Sequence, residues 1–278
     1  MLAVLSISRL HVSTLRPTFI VYSLVFVFAR ALALETSVER DLSAEFGSFS
    51  GVFVLYDEPQ QRWLRYQPEH SRIRTSPCST FKVLNSLIAL ETNVASGADF
   101  TLPWDGTRRS IEAWNHDQTL RSAFSASCVW YYQALARRIG LERYQQIISN
   151  VGYGNNDLTG GLTQFWLQNS LTISPDEQVD FLRRLHARKL PFAAKNVDTV
   201  LDIMTLSRVD QTVFRGKTGS AFDAKKNVPT LGWFIGSVTT SSGLYLFATR
   251  ITGGENPSGI TARKITESIL STLNILPK

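Results

Sequence analysis

Cysteine and histidine are both scarce in this chain, which has two cysteines and four histidines among 278 residues. His70, His116 and His186 stand at no spacing that zinc ligands use, and cysteine and histidine form no cluster. Lysine and arginine likewise form no stripe interleaved with aromatic residues. These absences exclude a zinc enzyme, and we expect neither a bound metal nor a nucleic-acid partner.

The longest apolar run of the chain is short and lies near its start. The first 33 residues hold three arginines and no acidic residue, and an apolar run from Phe19 to Phe28 precedes Ala31-Leu32-Ala33. A small-x-small triplet after such a run is typical of signal-peptidase cleavage, and about ten apolar residues are too few to span a bilayer comfortably. We predict that residues 1–33 are a cleaved signal peptide rather than an anchor, that the protein is periplasmic, and that no stable membrane span remains. Without the three leader arginines the formal charge falls from +6 to +3.

The order of the predicted elements indicates the fold class. Alternating apolar residues predict strands at residues 52–56, 63–66, 212–217, 230–239 and 244–252. Helical spacing predicts helices at residues 79–94, 114–139 with a break at 125–128, 174–188, 197–206 and 259–273. The clearest helix start is Ser174, where an N-cap serine, Pro175 and Glu177 form a capping box. A hairpin, a helical block, a strand meander and a closing helix predict an α+β fold (α/β in looser naming), with one antiparallel sheet flanked by helices and a helical subdomain beside it.

Ser79 and Lys82 stand three residues apart at the start of a predicted apolar helix. In a helix that begins at Ser79, both side chains lie on one face, one turn apart, so the hydroxyl is within reach of the amine. The free N–H groups of that helix end favour negative charge. The pair therefore indicates a serine nucleophile with a neighbouring base and an oxyanion hole, although an N-cap serine with a solvated lysine gives the same spacing.

Three further short motifs follow along the chain: Ser127-Cys128-Val129, Tyr153-Gly154-Asn155 and Lys217-Thr218-Gly219. With Ser79-Thr80-Phe81-Lys82 before them, this ordered set resembles the motif set of the class D serine β-lactamases, the oxacillinases. Residues 114–121, 165–167 and 232–236 also look like segments of that family, so the resemblance covers nearly the whole chain after the leader. It implies the fold of serine β-lactamases and penicillin-binding transpeptidases, with residues 34–278 as a single catalytic domain.

The resemblance implies a hydrolase that opens the β-lactam ring of penicillin-type antibiotics through an acyl-enzyme on Ser79 and so confers resistance. In the family, the lysine that matches Lys82 reacts with CO2 to form a carbamate (N6-carboxylysine), so no cofactor is expected beyond CO2 or bicarbonate. Burial near Val129 and Trp166 would disfavour the ammonium form of this lysine. Trp166 resembles the residue that hydrogen-bonds the carbamate, although alone it would be interpreted as a core tryptophan. The backbone N–H groups of Ser79 and Ser220 are the expected oxyanion hole.

The resemblance also assigns the proton-transfer and substrate-binding residues. Ser127 would relay a proton to the departing lactam nitrogen. Lys217 would steer the substrate carboxylate and tune Ser127, and Thr218 would offer its hydroxyl to the same carboxylate. Gly219 would let the substrate approach the backbone closely.

A substrate carboxylate also needs a bidentate partner, which arginine provides better than lysine. Family position favours Arg263, at the start of the closing helix, and Arg250, on a strand near Lys217, is the alternative. Trp114 is expected beside the bound substrate. The Tyr153-Gly154-Asn155 motif is expected to shape the pocket floor rather than to take part in the reaction.

Two questions stay open at the level of the sequence. Cys78 and Cys128 both fall inside motifs and would approach the same pocket wall, either bridged or as two free thiols. A penicillin-sensing receptor domain, acylated at Ser79 but not turned over, and a penicillin-binding transpeptidase share the motifs with the hydrolase. Because a receptor normally carries several membrane helices and a transpeptidase a longer chain, we expect the hydrolase, acting on small-molecule β-lactams as a monomer or homodimer.

Overall fold

The computed structural model describes residues 36–277, and the predicted signal peptide, residues 1–33, lies outside them. The strands are β1 (Thr36–Glu39), β2 (Ser50–Asp57), β3 (Arg62–Tyr66), β4 (Thr101–Leu102), β5 (Gln118–Thr119), β6 (Thr205–Val209), β7 (Thr212–Phe222), β8 (Pro229–Thr240) and β9 (Gly243–Thr252). The strands β4 and β5 pair with each other, and the others form one sheet in the order β1-β3-β2-β9-β8-β7-β6. Neighbours in this sheet are antiparallel except β1 with β3, so the predicted antiparallel sheet is confirmed.

Apart from α1, which lies between β1 and β2, the helices fall into a block between the two halves of the sheet and a final helix after it. They are α1 (Ser43–Phe46), α2 (Pro68–Ser71), α3 (Lys82–Glu91), α4 (Leu120–Ser125), α5 (Val129–Ile139), α6 (Leu141–Val151), α7 (Pro175–His186), α8 (Ala194–Ile203) and α9 (Gly259–Thr272). Two 3-10 turns cover Cys78–Phe81 and Glu112–Trp114. The α9 helix packs on β8, and α7 packs on β9 and β2.

Apolar residues on the two faces of the sheet belong to two separate cores. On β2, Val52, Val54 and Tyr56 pack with the helical block, whereas Phe53 and Leu55 pack with α9. The period-two alternation of a strand produces this division, because successive side chains point to opposite faces. The helices on both sides of one sheet confirm the predicted α+β class and the adjoining helical subdomain.

The strands β1 and β6 were not predicted from the sequence. All four residues of β1 are exposed, and β6 is exposed except at its first residue, so neither shows an apolar alternation. The predicted strand at residues 212–217 is too short, since β7 continues to Phe222. It continues because Lys217 pairs with Ile235 and Ser220 with Gly232 across the β7–β8 ladder.

The predicted helix at residues 79–94 is only partly correct. It begins with the 3-10 turn Cys78–Phe81 and passes into α3, which ends at Glu91. The predicted helix at residues 114–139 is wrong from Asn115 to Thr119, whereas its break is confirmed, because α4 ends at Ser125 and α5 begins at Val129. At Ser174 the predicted capping box is confirmed: Glu177 N donates to Ser174 Oγ at 3.2 Å, and Ser174 N donates to Glu177 Oε2 at 2.9 Å.

Candidate active site

A pocket of about 490 Å3 opens between the sheet and the helical block. Four of its lining residues belong to the predicted motifs, Ser79, Ser127, Thr218 and Gly219, and Ser220 and Gln168 add further polar groups. Its apolar lining includes Ile111, Trp114, Val129, Leu167, Phe222 and Ile260. A concave site with many apolar walls and a few convergent polar groups is typical of a binding site for a small molecule.

Ser79 and Lys82 lie as the motif predicts, one turn apart at the start of α3. Lys82 Nζ lies 2.8 Å from Ser79 Oγ, a hydrogen-bond distance. The amine is fully buried, and this burial lowers the pKa of Lys82 from 10.5 to about 7. A large fraction of Lys82 is therefore neutral near neutral pH, so the amine is available as a base or as a nucleophile.

Trp166 is fully buried behind the 3-10 turn Cys78–Phe81, which carries Ser79 and is called the nucleophile turn. Its indole ring stacks on Phe81, the residue before Lys82, with the ring centroids 5.6 Å apart. Among the described residues, no hydrogen-bond acceptor lies within reach of Trp166 Nε1. A buried N–H without an acceptor costs about 1–3 kcal/mol, so this position suits an acceptor group that enters the site.

Lys217 and Ser127 form the second polar pair of the site. Lys217 Nζ donates to Ser127 Oγ at 2.6 Å and to Thr218 O at 3.0 Å. Burial lowers the pKa of Lys217 well below its usual value, and the charge of Lys82 lowers it further. Ser127 holds a left-handed φ of +54° in the break between α4 and α5. The pair can pass a proton, because a destabilised ammonium donates directly to a hydroxyl.

Gly219 allows β7 to pass close to the nucleophile turn. A Cβ atom at this residue would lie 3.0 Å from Pro77 O and 3.2 Å from Thr80 N, so the neighbouring backbone would have to shift to accommodate it. The close approach places Ser79 and Ser220 on facing segments, and both line the pocket. The two residues predicted to form the oxyanion hole therefore line one pocket, and the oxyanion hole itself stays a prediction.

The two candidate arginines have different surroundings. Arg250 is buried and donates to Ile73 O at 2.6 Å and His70 O at 3.3 Å, so its guanidinium is occupied by backbone carbonyls. Arg263 is half-buried, pairs with Glu267 at 2.8 Å, and lines a neighbouring cavity of about 340 Å3. Lys217 and Thr218 line the same cavity, and Thr218 lines both cavities. The structure therefore favours Arg263 over Arg250, although Arg263 lies beside the serine pocket rather than in it.

The remaining predicted residues mostly have structural contacts. Trp114 Nε1 donates to Ala126 O at 2.8 Å, and this fixes the ring in the pocket wall. Tyr153 is buried, and its hydroxyl donates to Gln178 Oε1 at 3.3 Å. Asn155 Nδ2 donates to Ser170 O at 2.8 Å, within the same loop region. These contacts shape the site, as the sequence predicts for the Tyr153 motif.

Cys78 and Cys128 are both buried and both free in the structure. Burial raises the pKa of the Cys78 thiol to about 11 and also raises the pKa of Cys128. Both groups are therefore protonated near neutral pH, and we assign them no part in the reaction. Cys78 holds a left-handed φ of +50° immediately before the nucleophile.

Sequence reasoning missed two residues that contact several parts of the site, Ser76 and Gln168. Ser76 Oγ donates to Trp166 O, and Gln168 bonds to the backbone of Phe222. These partners are 54 to 92 residues apart in the chain, so no local pattern indicates them. The available signal is weak: Gln168 is a polar residue two positions after Trp166.

Comparisons with known proteins agree with this geometry. A family model described as the penicillin binding protein transpeptidase domain matches residues 50–271. The Bacillus subtilis (strain 168) protein named probable beta-lactamase YbxI is 40% identical over 238 residues, which are 86% of each chain. A crystal structure of a class D beta-lactamase from Bacillus subtilis has a TM-score of 0.81 at 38% identity, covering 86% of this chain and 98% of its own. The C-terminal domain of the BlaR penicillin receptor of Bacillus licheniformis has a TM-score of 0.83 at 36% identity, covering 87% and 98%.

The match over residues 50–271 contains every predicted site residue, from Ser79 to Arg263. Within the described residues, no helix is long and apolar enough to cross a membrane. The likeness extends along the chain as well as through the fold, so the family suggested by the motif order is confirmed. The chain belongs to the class D serine β-lactamases, within the penicillin-binding protein transpeptidase family.

Proposed function

We propose that the protein hydrolyses β-lactams through an acyl-enzyme on Ser79. The observation that carries the proposal is the 2.8 Å contact between Ser79 Oγ and the buried amine of Lys82. The contact lies at a pocket of about 490 Å3, and this volume suits a small, drug-sized molecule. Relatives named as β-lactamases support the same reaction class.

In the first half-reaction, Ser79 Oγ attacks the lactam carbonyl carbon and loses its proton to the base at Lys82. The carbon–nitrogen bond of the ring then breaks, and the nitrogen takes a proton from Ser127 Oγ. Lys217 Nζ, 2.6 Å from that hydroxyl, replaces the proton. The backbone N–H groups of Ser79 and Ser220 stabilise the negative oxygen that develops on the carbonyl.

The surroundings of Lys82 fit the carbamate that the family implies. A neutral amine is the form that combines with CO2, and burial provides it by lowering the pKa of Lys82 to about 7. Trp166 Nε1, buried without an acceptor among the described residues, can donate to such a group. Bound in this way, CO2 supplies an oxygen base for the Ser79 proton and for the water that hydrolyses the acyl-enzyme. We therefore propose Lys82 as the modified residue and Trp166, with Val129 nearby, as its support.

A second candidate function is a penicillin-sensing receptor, which the TM-score of 0.83 to the BlaR domain supports. A receptor is acylated at the same serine but releases the acyl group very slowly. The rate of deacylation therefore separates the two functions, whereas acylation alone does not.

The experiment is hydrolysis of a chromogenic cephalosporin with and without added bicarbonate, followed by intact-protein mass. Turnover that rises with bicarbonate supports both the hydrolase and the base at Lys82. A stable adduct on Ser79 without turnover would identify a receptor instead.

The Lys82→Ala variant should lose about 10²- to 10⁴-fold in turnover, the usual contribution of a general base. Lys225→Ala, at an exposed lysine, is the matched control and should keep the wild-type rate.

We also propose that residues 1–33 direct export and that the enzyme acts in the periplasm. The apolar run before Ala31-Leu32-Ala33 supports this proposal. The intact mass of the protein recovered from a periplasmic extract tests it. A mass that corresponds to residues 34–278 is expected, and a full-length, membrane-bound product would contradict cleavage.

A further inference from the structure

The side chain of Gln168 bonds to the end of β7. Gln168 Nε2 donates to Phe222 O at 2.9 Å, and Phe222 N donates to Gln168 Oε1 at 2.8 Å. The β7–β8 pairing shifts register between Ala221 and Phe222, so the ladder is irregular at this position. Phe222 still pairs with Pro229 after the shift, and the Gln168 amide bonds to both backbone polar groups of Phe222 at this irregular end of the ladder.

The backbone of Gln168 is attached to the segment before the nucleophile. Gln168 N donates to Ser76 Oγ at 2.9 Å, and the same hydroxyl donates to Trp166 O at 3.0 Å. Ser76 O in turn accepts from Trp233 Nε1 on β8 at 3.0 Å. The Ser76 hydroxyl thus joins the loop that carries Trp166 to the segment before the nucleophile turn. The bond from Trp233 to Ser76 O holds that segment on the sheet.

The conformation of Gln168 indicates that this arrangement is imposed. Its φ is +55°, in the left-handed region that residues other than glycine rarely adopt. The residue is exposed, so its side chain would otherwise be free to move in solvent. A left-handed, exposed glutamine with two bonds to one distant residue is consistent with a conformation selected for those bonds.

We infer that Ser76 and Gln168 are positioning residues. They hold the end of β7, which carries Ser220, and the loop that carries Trp166 (the Trp166 loop) in place relative to Ser79. We call this pair the Ser76–Gln168 clamp. Ser220, whose N–H belongs to the oxyanion hole, lies two residues before Phe222. Trp166 lies two residues before Gln168. The inference rests on the proposed function, because it assigns the clamp to steps of that reaction.

The two halves of the clamp affect different steps. Loss of the Gln168 amide frees the end of β7, so Ser220 N–H is held less firmly and acylation slows. Loss of the Ser76 hydroxyl leaves Trp166 O and Gln168 N without their shared partner, so the Trp166 loop shifts and deacylation slows more than acylation. Ser76 does not line the pocket, whereas Gln168 does, so the non-covalent binding of substrate is measured separately from acylation.

The experiment compares Gln168→Ala and Ser76→Ala with Asn169→Ala as the matched control. Asn169 is the next amide in the same loop and donates to Gly160 O within that loop, away from β7. For each variant, the acylation and deacylation rate constants are measured by rapid-quench mass spectrometry, and the folded fraction by thermal unfolding. Gln168→Ala should lower the acylation rate constant by about 10-fold or more, a part of the 10²- to 10³-fold effect of losing a whole oxyanion donor. The dissociation constant of the non-covalent complex should stay within about twofold in Ser76→Ala, because Ser76 does not line the pocket.

Two conservative variants keep the test decisive if an alanine variant folds poorly. Gln168→Glu can still accept from Phe222 N but cannot donate to Phe222 O, so its acylation rate should fall between those of wild type and Gln168→Ala. Ser76→Thr keeps the hydroxyl and should restore the deacylation that Ser76→Ala loses. Wild-type rates in Gln168→Ala, or an equal loss in Asn169→Ala, would overturn the clamp. Failure of the wild-type protein to acylate at Ser79 would instead overturn the proposed function.

Discussion

Lys82 and Lys217 are buried amines that, among the described residues, have no carboxylate partner. Lys82 is fully buried and Lys217 is 4% exposed. Burial lowers the pKa of both amines, and the charge of Lys82 adds to the effect at Lys217. Each amine instead contacts a serine hydroxyl, Lys82 that of Ser79 and Lys217 that of Ser127. The site therefore holds two hydroxyl–amine pairs, and in the proposed reaction one serves the attacking oxygen and the other the leaving nitrogen.

The rate of hydrolysis should fall on the acid side of about pH 7. Because the pKa of Lys82 is lowered to about 7, the amine is mostly protonated below that pH and mostly neutral above it. Only the neutral amine combines with CO2 or serves as a base, so turnover should lose about 10-fold for each pH unit well below the pKa. Initial rates measured at a fixed concentration of dissolved CO2 give this acid limb. A profile that stays flat to about pH 5 would contradict the assignment of Lys82.

Replacing Trp166 by phenylalanine tests the unpaired indole N–H apart from the packing of the ring. Trp166→Phe keeps an aromatic ring against Phe81 and removes Nε1, so the melting temperature without bicarbonate should change little. Without that donor, the acyl-enzyme should hydrolyse about 10-fold or more slowly, and more bicarbonate should be needed for half-maximal activity. Intact mass after mixing with substrate gives the lifetime of the acyl-enzyme, and a 13C signal from labelled CO2 gives the occupancy of Lys82. An unchanged lifetime and occupancy would reduce Trp166 to a core residue.

At the scale of the elements, the position of β7 decides whether the motifs meet. Gly219 and Ser220 extend β7 beyond the predicted strand end and across the face of the nucleophile turn. The predicted strand ends at Lys217, and the glycine two residues later is a residue type that is common in turns. The ladder with β8 overrides that local signal. The strand β6 next to it was missed because its exposed residues carry no alternation.

Gly219→Ala should damage the site more than the fold. A Cβ atom 3.0 Å from Pro77 O and 3.2 Å from Thr80 N forces β7 away from the nucleophile turn. We expect a loss of about 1–3 kcal/mol in the free energy of unfolding, which is typical of overpacking. Acylation should fall by about 10²-fold, because the Ser220 N–H moves with the strand. The control is Gly97→Ala, where a Cβ would meet no atom within 4 Å. Stability is measured by urea unfolding and acylation by rapid quench, and equal effects at the two glycines would argue against the close approach.

Across the whole molecule, the proposed catalytic groups come from both layers of the fold. Ser79 and Lys82 belong to the helical block, whereas Lys217 and Ser220 belong to strand β7 of the sheet. Local patterns predicted the motif positions and most elements. The contacts of the clamp and the bonds of Arg250 to backbone carbonyls could not be predicted, because each depends on residues far apart in the sequence.

The two arginines provide a test of how the layers are joined. Arg250 holds the carbonyls of His70 and Ile73, and the ring of Trp233 lies beneath its guanidinium at 5.8 Å, so it fastens the segment before the nucleophile to the sheet. Arg250→Ala leaves those carbonyls unpaired and should cost about 2–4 kcal/mol of stability, with acylation per folded molecule changed by less than about 3-fold.

Arg263→Ala should show the opposite pattern, because the guanidinium lines the cavity shared with Lys217 and Thr218 and pairs on the helix surface with Glu267. An i,i+4 surface pair contributes little, about 0.3–0.5 kcal/mol, so the melting temperature should hardly move. If this arginine binds the substrate carboxylate, KM should rise by about 10-fold or more, since a charged hydrogen bond contributes roughly 1.5–3 kcal/mol. Unfolding curves and steady-state kinetics on both variants decide the assignment. A rise in KM in Arg250→Ala alone would transfer the carboxylate-binding role to Arg250 and leave Arg263 as a surface residue of α9.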